Sequence, residues 1–285
     1  MDIWIAVCIT QLMMVFIINA FTLVVFARSR YLRRRNTYLI MNLTVADLLI
    51  AAVSGPEAIL FFIPNKRPKR GLGVLYLIIS DMCWIASLGN LVLISLERLH
   101  ATLYPFRHCL VGKRTYYKII IFSWFGALTL ACGLQVSRMN DSSLADRYPW
   151  TIYTFLTVAV LTTSYAIIIS RFIRKPHVQQ LGSVILAERK LSVTLFIVSA
   201  ASTITVLPFA IVTCILISSD RYLRIQLLPF INVTTFILAI YYLNSVLNPL
   251  IYAIRLRQFR RALKGLFCKN TSSTGRALPT DLLEM

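Results

Sequence analysis

The chain has 285 residues, 58% of them hydrophobic and only 14% charged, which is too apolar for one soluble domain of this size and points to a membrane protein. A formal net charge of +19 would suit a nucleic-acid binder. Most of the 30 Lys and Arg, however, sit on one set of connections between apolar runs, so nucleic acid is excluded in favour of topology and attraction to anionic lipid.

Seven apolar stretches cover roughly 3–27, 37–63, 72–104, 116–137, 149–174, 188–218 and 226–254. Each can cross a hydrocarbon core of about 30 Å as a helix. A barrel would read as short alternating strands instead. The connections after spans one, three and five and the tail are the basic ones, which predicts the N-terminus outside and the C-terminus cytoplasmic.

The start, "MDIWIAVCIT", has no basic n-region and its apolar run is followed by five arginines, a reversed signal-anchor pattern with almost no ectodomain expected before it. Span one carries Asn19. Span two carries Asp47 at its middle and Glu57 next to Pro56 in its outer half. The outer loop "NKRPKR" (Asn65 to Arg70) could meet anionic ligand groups, but reads more simply as a solvated loop. Span three carries Asp81 in its outer half, Ser87 and Asn90 at its middle, and Glu97 beside Arg98 near its inner end. Glu188 opens span six, which contains Pro208. Span seven holds Asn244, Ser245 and Asn248 ahead of Pro249 and Tyr252; Asn244, Asn248 and Tyr252 share one helix face.

A charge at mid-bilayer costs about 2.5–3.5 kcal/mol on insertion scales, so buried ionisable residues are functional candidates by default. Asp47 with amides and hydroxyls at similar depth on spans one, three and seven reads as one cluster rather than as scattered glue between helices. Oxygen ligands with a single negative charge suit a small hard cation. The six cysteines are scattered, four in apolar spans and two on the cytoplasmic side. The three histidines, His100, His108 and His177, lack metal-ligand spacing. The sequence contains no nucleophile–base set, phosphate loop, metal box or repeat, so an enzyme is not expected. Of the glycosylation sequons, only "NDS" at Asn140 is well placed on the outer side.

Together these stretches resemble the rhodopsin-like (class A) G-protein-coupled receptors. "NLTVADLL" is similar to the family's second-helix pattern, "SLERLHATLYPF" to its third-helix end and second intracellular loop, Trp124 to its fourth-helix tryptophan, and "NPLIY" to its NPxxY motif. The resemblance covers spans one to seven and the short helix after them. It implies an all-α membrane protein: a seven-transmembrane domain over 1–254, an amphipathic membrane-surface helix over 255–268 and a disordered cytoplasmic tail over 269–285.

The roles it implies are these. Asn19, Asp47, Ser87, Asn244, Ser245 and Asn248 match an allosteric sodium pocket, with Asp47 as the metal-binding acid. Glu97 and Arg98 match the acidic–arginine pair, with Leu99 in place of the usual tyrosine, and Glu188 matches the acid that holds this arginine at rest. Tyr165 and Tyr252 match the tyrosines that swing inward on activation, while span six pivots near Pro208. Pro105 and Phe106 match the loop pair that presses into the heterotrimeric G protein. In "RLRQFRRALKGLF", Leu256, Phe259, Leu263 and Leu266 lie on one side, as an amphipathic surface helix requires. Cys268 resembles a palmitoylation site, and "NTSST" resembles a phosphorylation patch for a receptor kinase and arrestin. The resemblance places the chain in the plasma membrane.

The departures are equally specific. Val206 stands where the family has a toggle tryptophan, Thr157 where a fifth-helix proline is usual, and Gly73 where the outer disulfide cysteine belongs. These absences are similar to those of the melanocortin, cannabinoid, lysophospholipid and adenosine receptors. The candidate ligand pocket comprises Glu57, Ser80, Asp81, Trp84, Phe209, Tyr241 and Tyr242. Ser80 occupies the position of the amine receptors' aspartate; Asp81, one residue on, faces either the pocket or span four. Two outer-half acids favour a cationic small molecule or peptide. A receptor-like protein with constitutive or no coupling is the alternative. A retinal light sensor is disfavoured because span seven has Tyr242 where the Schiff-base lysine would stand, and a transporter because no paired repeats occur.

Overall fold

The computed structural model describes residues 2–29, 32, 37–62, 70–139, 147–174, 183–218 and 227–268, and every extended element among them is helical. The helices are α1 (Asp2–Arg28), α2 (Tyr38–Phe62), α3 (Arg70–Leu103), α4 (Pro105–Leu110), α5 (Lys113–Met139), α6 (Arg147–Arg174), α7 (Ser183–Ser218), α8 (Leu227–Arg255) and α9 (Arg257–Cys268). Five stretches, Ala6–Arg28, Gly71–Leu103, Lys113–Met139, Pro149–Arg171 and Ser192–Val212, are long and apolar enough to cross a membrane, and Tyr38–Val53 is a shorter apolar helix.

Helices α1, α2, α3, α5, α6, α7 and α8 form a seven-helix bundle. α1 packs between α2 and α8, α7 closes the ring between α6 and α8, and α3 runs through the middle against α2, α5, α6 and α7. Because the helices are apolar nearly all round, helical spacing rather than hydrophobicity decides which face is inside. On α1, Leu12, Val15, Asn19, Thr22 and Phe26 are buried, while Met13, Phe16, Ile17, Phe21 and Val24 face outward. Lipid gives no hydrophobic drive between such helices, so close packing has to hold them. Small residues permit it: Ala46, Ala86, Ala127 and Ala131 bring α2, α3 and α5 together. α6 is tied to α3 by the Tyr153 hydroxyl, which donates to the Ile85 carbonyl at 2.7 Å. That hydroxyl also lies 3.2 Å from where a side chain at Gly89 would begin, so the small residue makes room for the tyrosine.

One feature was not foreseen. α4 is a six-residue helix where the sequence suggested only a loop pair. Pro105 starts it, fixing φ where no backbone donor is needed. None of its residues is buried, so it has no apolar stripe to betray it. α9 then turns off the end of α8, with Leu256 N donating to Tyr252 O at 2.9 Å. Phe259 is buried with its ring 5.3 Å from that of Phe26, so α9 is anchored on α1. The expected tail over 269–285, the Asn140 sequon and the Asn65 to Lys69 part of the outer loop lie outside the described residues.

Candidate functional site

Three polar groupings interrupt the apolar interior. The deepest is centred on Asp47, whose carboxylate is fully buried on α2. Ser87 Oγ of α3 donates to Asp47 Oδ1 at 2.7 Å, Ser245 Oγ of α8 to the same oxygen at 3.0 Å, and Asn248 Nδ2 to Oδ2 at 2.9 Å. Asn19 does not touch the carboxylate: its amide donates to the Ser245 carbonyl at 3.1 Å and to Val15 at 2.9 Å. Asn244 is buried as well. The amide oxygens of Asn19, Asn244 and Asn248 and the hydroxyl of Tyr252 are buried without a hydrogen-bond partner. One carboxylate, two hydroxyls and three amide oxygens without a partner form a donor set that fits a small hard cation. Pro249 follows at once and removes a backbone donor from α8 below the cluster.

A second network was missed in the sequence. Asn42 Nδ2 of α2 donates to Asn90 Oδ1 of α3 at 2.6 Å, and Trp124 Nε1 of α5 donates to Asn42 Oδ1 at 2.9 Å. It ties three helices together one turn from Asp47. The usable signal was that Asn42 and Asp47, five residues apart, point in different directions on one helix.

The third grouping lies at the α4 end of α3. Arg98 is fully buried, and both its Nε and Nη2 donate to the Glu97 carboxylate. Tyr116 of α5 donates to the same carboxylate at 3.1 Å, and His108 Nε2 of α4 lies 3.3 Å from it. Glu188 sits on α7, but its side chain is outside the described residues. Tyr165 is buried, receiving Ser199 Oγ at 3.2 Å and packing edge-on against Phe196. Tyr252 is buried edge-on against Phe26, and on α4 Phe106 is 87% exposed beside Pro105.

Towards the opposite end, Trp84 and Tyr242 stack with ring centroids 5.3 Å apart, and Ser80 is buried. Val206 is buried in a core cluster against which Trp84 packs. The orientation of Asp81 is resolved towards α5: Arg138 Nη1 donates to it at 2.7 Å and Gln135 Nε2 at 3.3 Å. The expectation that Asp81 lines the pocket is therefore corrected. Successive helix residues differ by about 100°, and that rotation sends Asp81 out between α3 and α5. The side chains of Glu57, Phe209, Tyr241 and Cys268 lie outside the described residues.

Comparison with known proteins matches residues 18–252 to a family described as 7 transmembrane receptor (rhodopsin family). The chain is 27% identical to the D(1B) dopamine receptor of Xenopus laevis, over 87% of this chain and 66% of that receptor. It is 29% identical to the histamine H4 receptor of Mus musculus, over 50% of this chain and 38% of that protein. It is 24% identical to the human growth hormone secretagogue receptor type 1, over 86% of this chain and 75% of the receptor. The chain thus spans two thirds or less of the length of the first two of these relatives.

Proposed function

The chain belongs to the rhodopsin family of seven-transmembrane receptors, and on that premise we propose that it is a multi-pass plasma-membrane receptor that couples an extracellular ligand to a heterotrimeric G protein. The N-terminus faces outside and the α4–α9 end faces the cytoplasm, following the basic connections. The observation that carries the reading is Arg98. A guanidinium with no exposed surface, held by an adjacent carboxylate at the inner end of the central helix, is costly to keep there without a use. At rest, Glu97 and Glu188 hold Arg98. A ligand that binds the open state better shifts the population towards it. α7 then pivots at Pro208, where the missing backbone donor weakens the helix, and Arg98 becomes available to the G protein. Phe106 supplies an apolar contact to the same partner. Arrestin and a receptor kinase engage the tail. Asp47, with Asn19, Ser87, Asn244, Ser245 and Asn248, would hold a sodium ion, whose positive charge would compensate the buried carboxylate.

Glu188→Ala is expected to raise basal second-messenger output in cells. Unchanged or lower output at matched surface expression would overturn the role given to Glu188.

The ligand is a small molecule or peptide. Two relatives are named for amines, dopamine and histamine. Here Ser80 stands where amine receptors place their aspartate, and Asp81 is already engaged by Arg138. The Trp84–Tyr242 stack is the better anchor. With an agonist found by screening amines, peptides, nucleosides and lipids, Asp81→Asn should leave potency within about threefold, whereas Trp84→Ala should lower it at least about tenfold, since truncating a buried aromatic anchor costs about 2 kcal/mol or more. A large potency loss in Asp81→Asn alone would restore a cationic-ligand site at that acid.

A further inference from the structure

α3 is apolar nearly all round, so hydrophobic burial leaves its rotation open. Its contact with α5 is made by Ile85 and Ala86 against Ala127, Ala131 and Leu134, with the partly buried Ile78 and Met82 packed beside them. Small and aliphatic side chains let two helices approach but meet equally well at neighbouring rotations. No disulfide adds a constraint among the described residues: Cys83, the cysteine of α3, is free. The outer half of the contact ends in a polar group instead. Ala131, Gln135 and Arg138 follow one another at spacings of four and three, so one side of α5 carries them. Arg138 Nη1 donates to Asp81 Oδ2 at 2.7 Å, and Gln135 Nε2 donates to the same oxygen at 3.3 Å. Gln135 is 4% exposed and the Asp81 side chain 15%, a depth at which an amide and a carboxylate are tolerated only when bonded.

Trp84 lies between two polar pins on α3. Asp81, three residues before it, is held by α5, and Ser87, three residues after it, donates to Asp47 of α2 at 2.7 Å. Each pin is about 4.5 Å along the helix axis from Trp84. The indole packs against the core that holds Val206 and against the cluster of α1, α2 and α8 residues that holds Tyr242. A rotation of α3 well short of the roughly 100° between successive residues would carry the ring off Tyr242. We propose that Asp81, Arg138 and Gln135 form a strut that sets the rotation of the outer half of α3 and so seats Trp84 against Tyr242. Asp81 is then a positioning residue for the ligand cavity, acting through Trp84 without lining it. The consequence for ligands rests on the receptor reading of the Trp84–Tyr242 stack; the strut itself does not. Direction comes from an oxygen that accepts two donors of α5, and asparagine keeps such an oxygen whereas leucine does not.

The test uses the full chain in lipid nanodiscs, labelled with fluorinated tryptophan, without ligand or G protein. Trp4→Phe, Trp84→Phe, Trp124→Phe and Trp150→Phe assign the four fluorine signals. Tyr242→Leu marks where the Trp84 signal falls without the stacked ring. Asp81→Leu and Arg138→Met remove the strut from opposite ends. Each should move the Trp84 signal towards that mark and lower the unfolding midpoint by about 2–4 °C. Trp124, which is bonded to Asn42, should stay in place. The double variant should move Trp84 no further than either single one, since both break the same contact. Asp81→Asn should leave the signal near its wild-type position. Gln135→Leu removes only the weaker donor and should move Trp84 the same way by less, which decides the case if the larger changes do not fold. The proposal is overturned by a Trp84 signal unmoved in the folded variants, by one moved as far in Asp81→Asn as in Asp81→Leu, or by an equal movement of Trp124. With no ligand present, an overturned strut leaves the receptor reading standing, and a failed receptor reading leaves the strut standing.

Discussion

Arg98→Ala is expected to reduce both basal and agonist-evoked second-messenger output to that of cells lacking the chain. The side chain has no exposed surface, and its fork occupies both oxygens of Glu97. Removing it withdraws the cation proposed to meet the G protein and leaves Glu97 with only Tyr116 and His108 among its described partners. A buried carboxylate stripped of its partner costs about 3–5 kcal/mol, so surface expression has to be measured alongside output. Arg98→Lys separates the two effects. Lysine keeps the charge and so spares the fold, but cannot hold a carboxylate with two parallel donors. Output between that of Arg98→Ala and that of the wild type is expected for it, at near-normal expression. Full output from Arg98→Ala at matched surface expression would show that coupling, if present, does not run through this residue.

The bundle was legible because apolar length alone specifies a membrane helix. The expected run over 37–63 and the observed helix Tyr38–Phe62 differ by one residue at each end. The gathering of Asp47, Ser87, Ser245 and Asn248 was legible for the opposite reason: polar atoms inside lipid-embedded helices are so few that those at equal depth must find one another. Rotation about a helix axis was not legible. Where a helix is apolar nearly all round, no periodicity fixes which neighbour a polar residue meets, and Asp81 was left between two directions that only Arg138 and Gln135 decide. α4 was hidden because six residues with none buried carry no pattern. Everything that depends on its placement, including His108 against Glu97, was hidden with it.

Asp47→Asn is expected to abolish any dependence of thermal stability on sodium, compared with potassium at equal ionic strength, while keeping the fold. The wild-type carboxylate lies fully buried among donors from α3 and α8, and the amide oxygens of Asn244 and Asn248 on α8 are buried without partners. Sodium at ten times its dissociation constant would stabilise the folded state by about 1.4 kcal/mol, since only that state assembles the oxygens. For a chain of this size the unfolding midpoint would rise by about 2–4 °C. Asparagine keeps the shape and an accepting oxygen but loses the charge that makes a cation worth dehydrating, so the rise should vanish. Asp47→Ala reports on something else. It strands Ser87, Ser245 and Asn248 at once, and with membrane hydrogen bonds averaging about 0.6 kcal/mol each, the loss is about 2 kcal/mol in either salt. The two variants therefore divide the cluster into an ion site and a three-helix clamp. A sodium-specific rise that persists in Asp47→Asn would take the ion away from Asp47 and leave the cluster as a hydrogen-bonded clamp of α8 and α3 on α2.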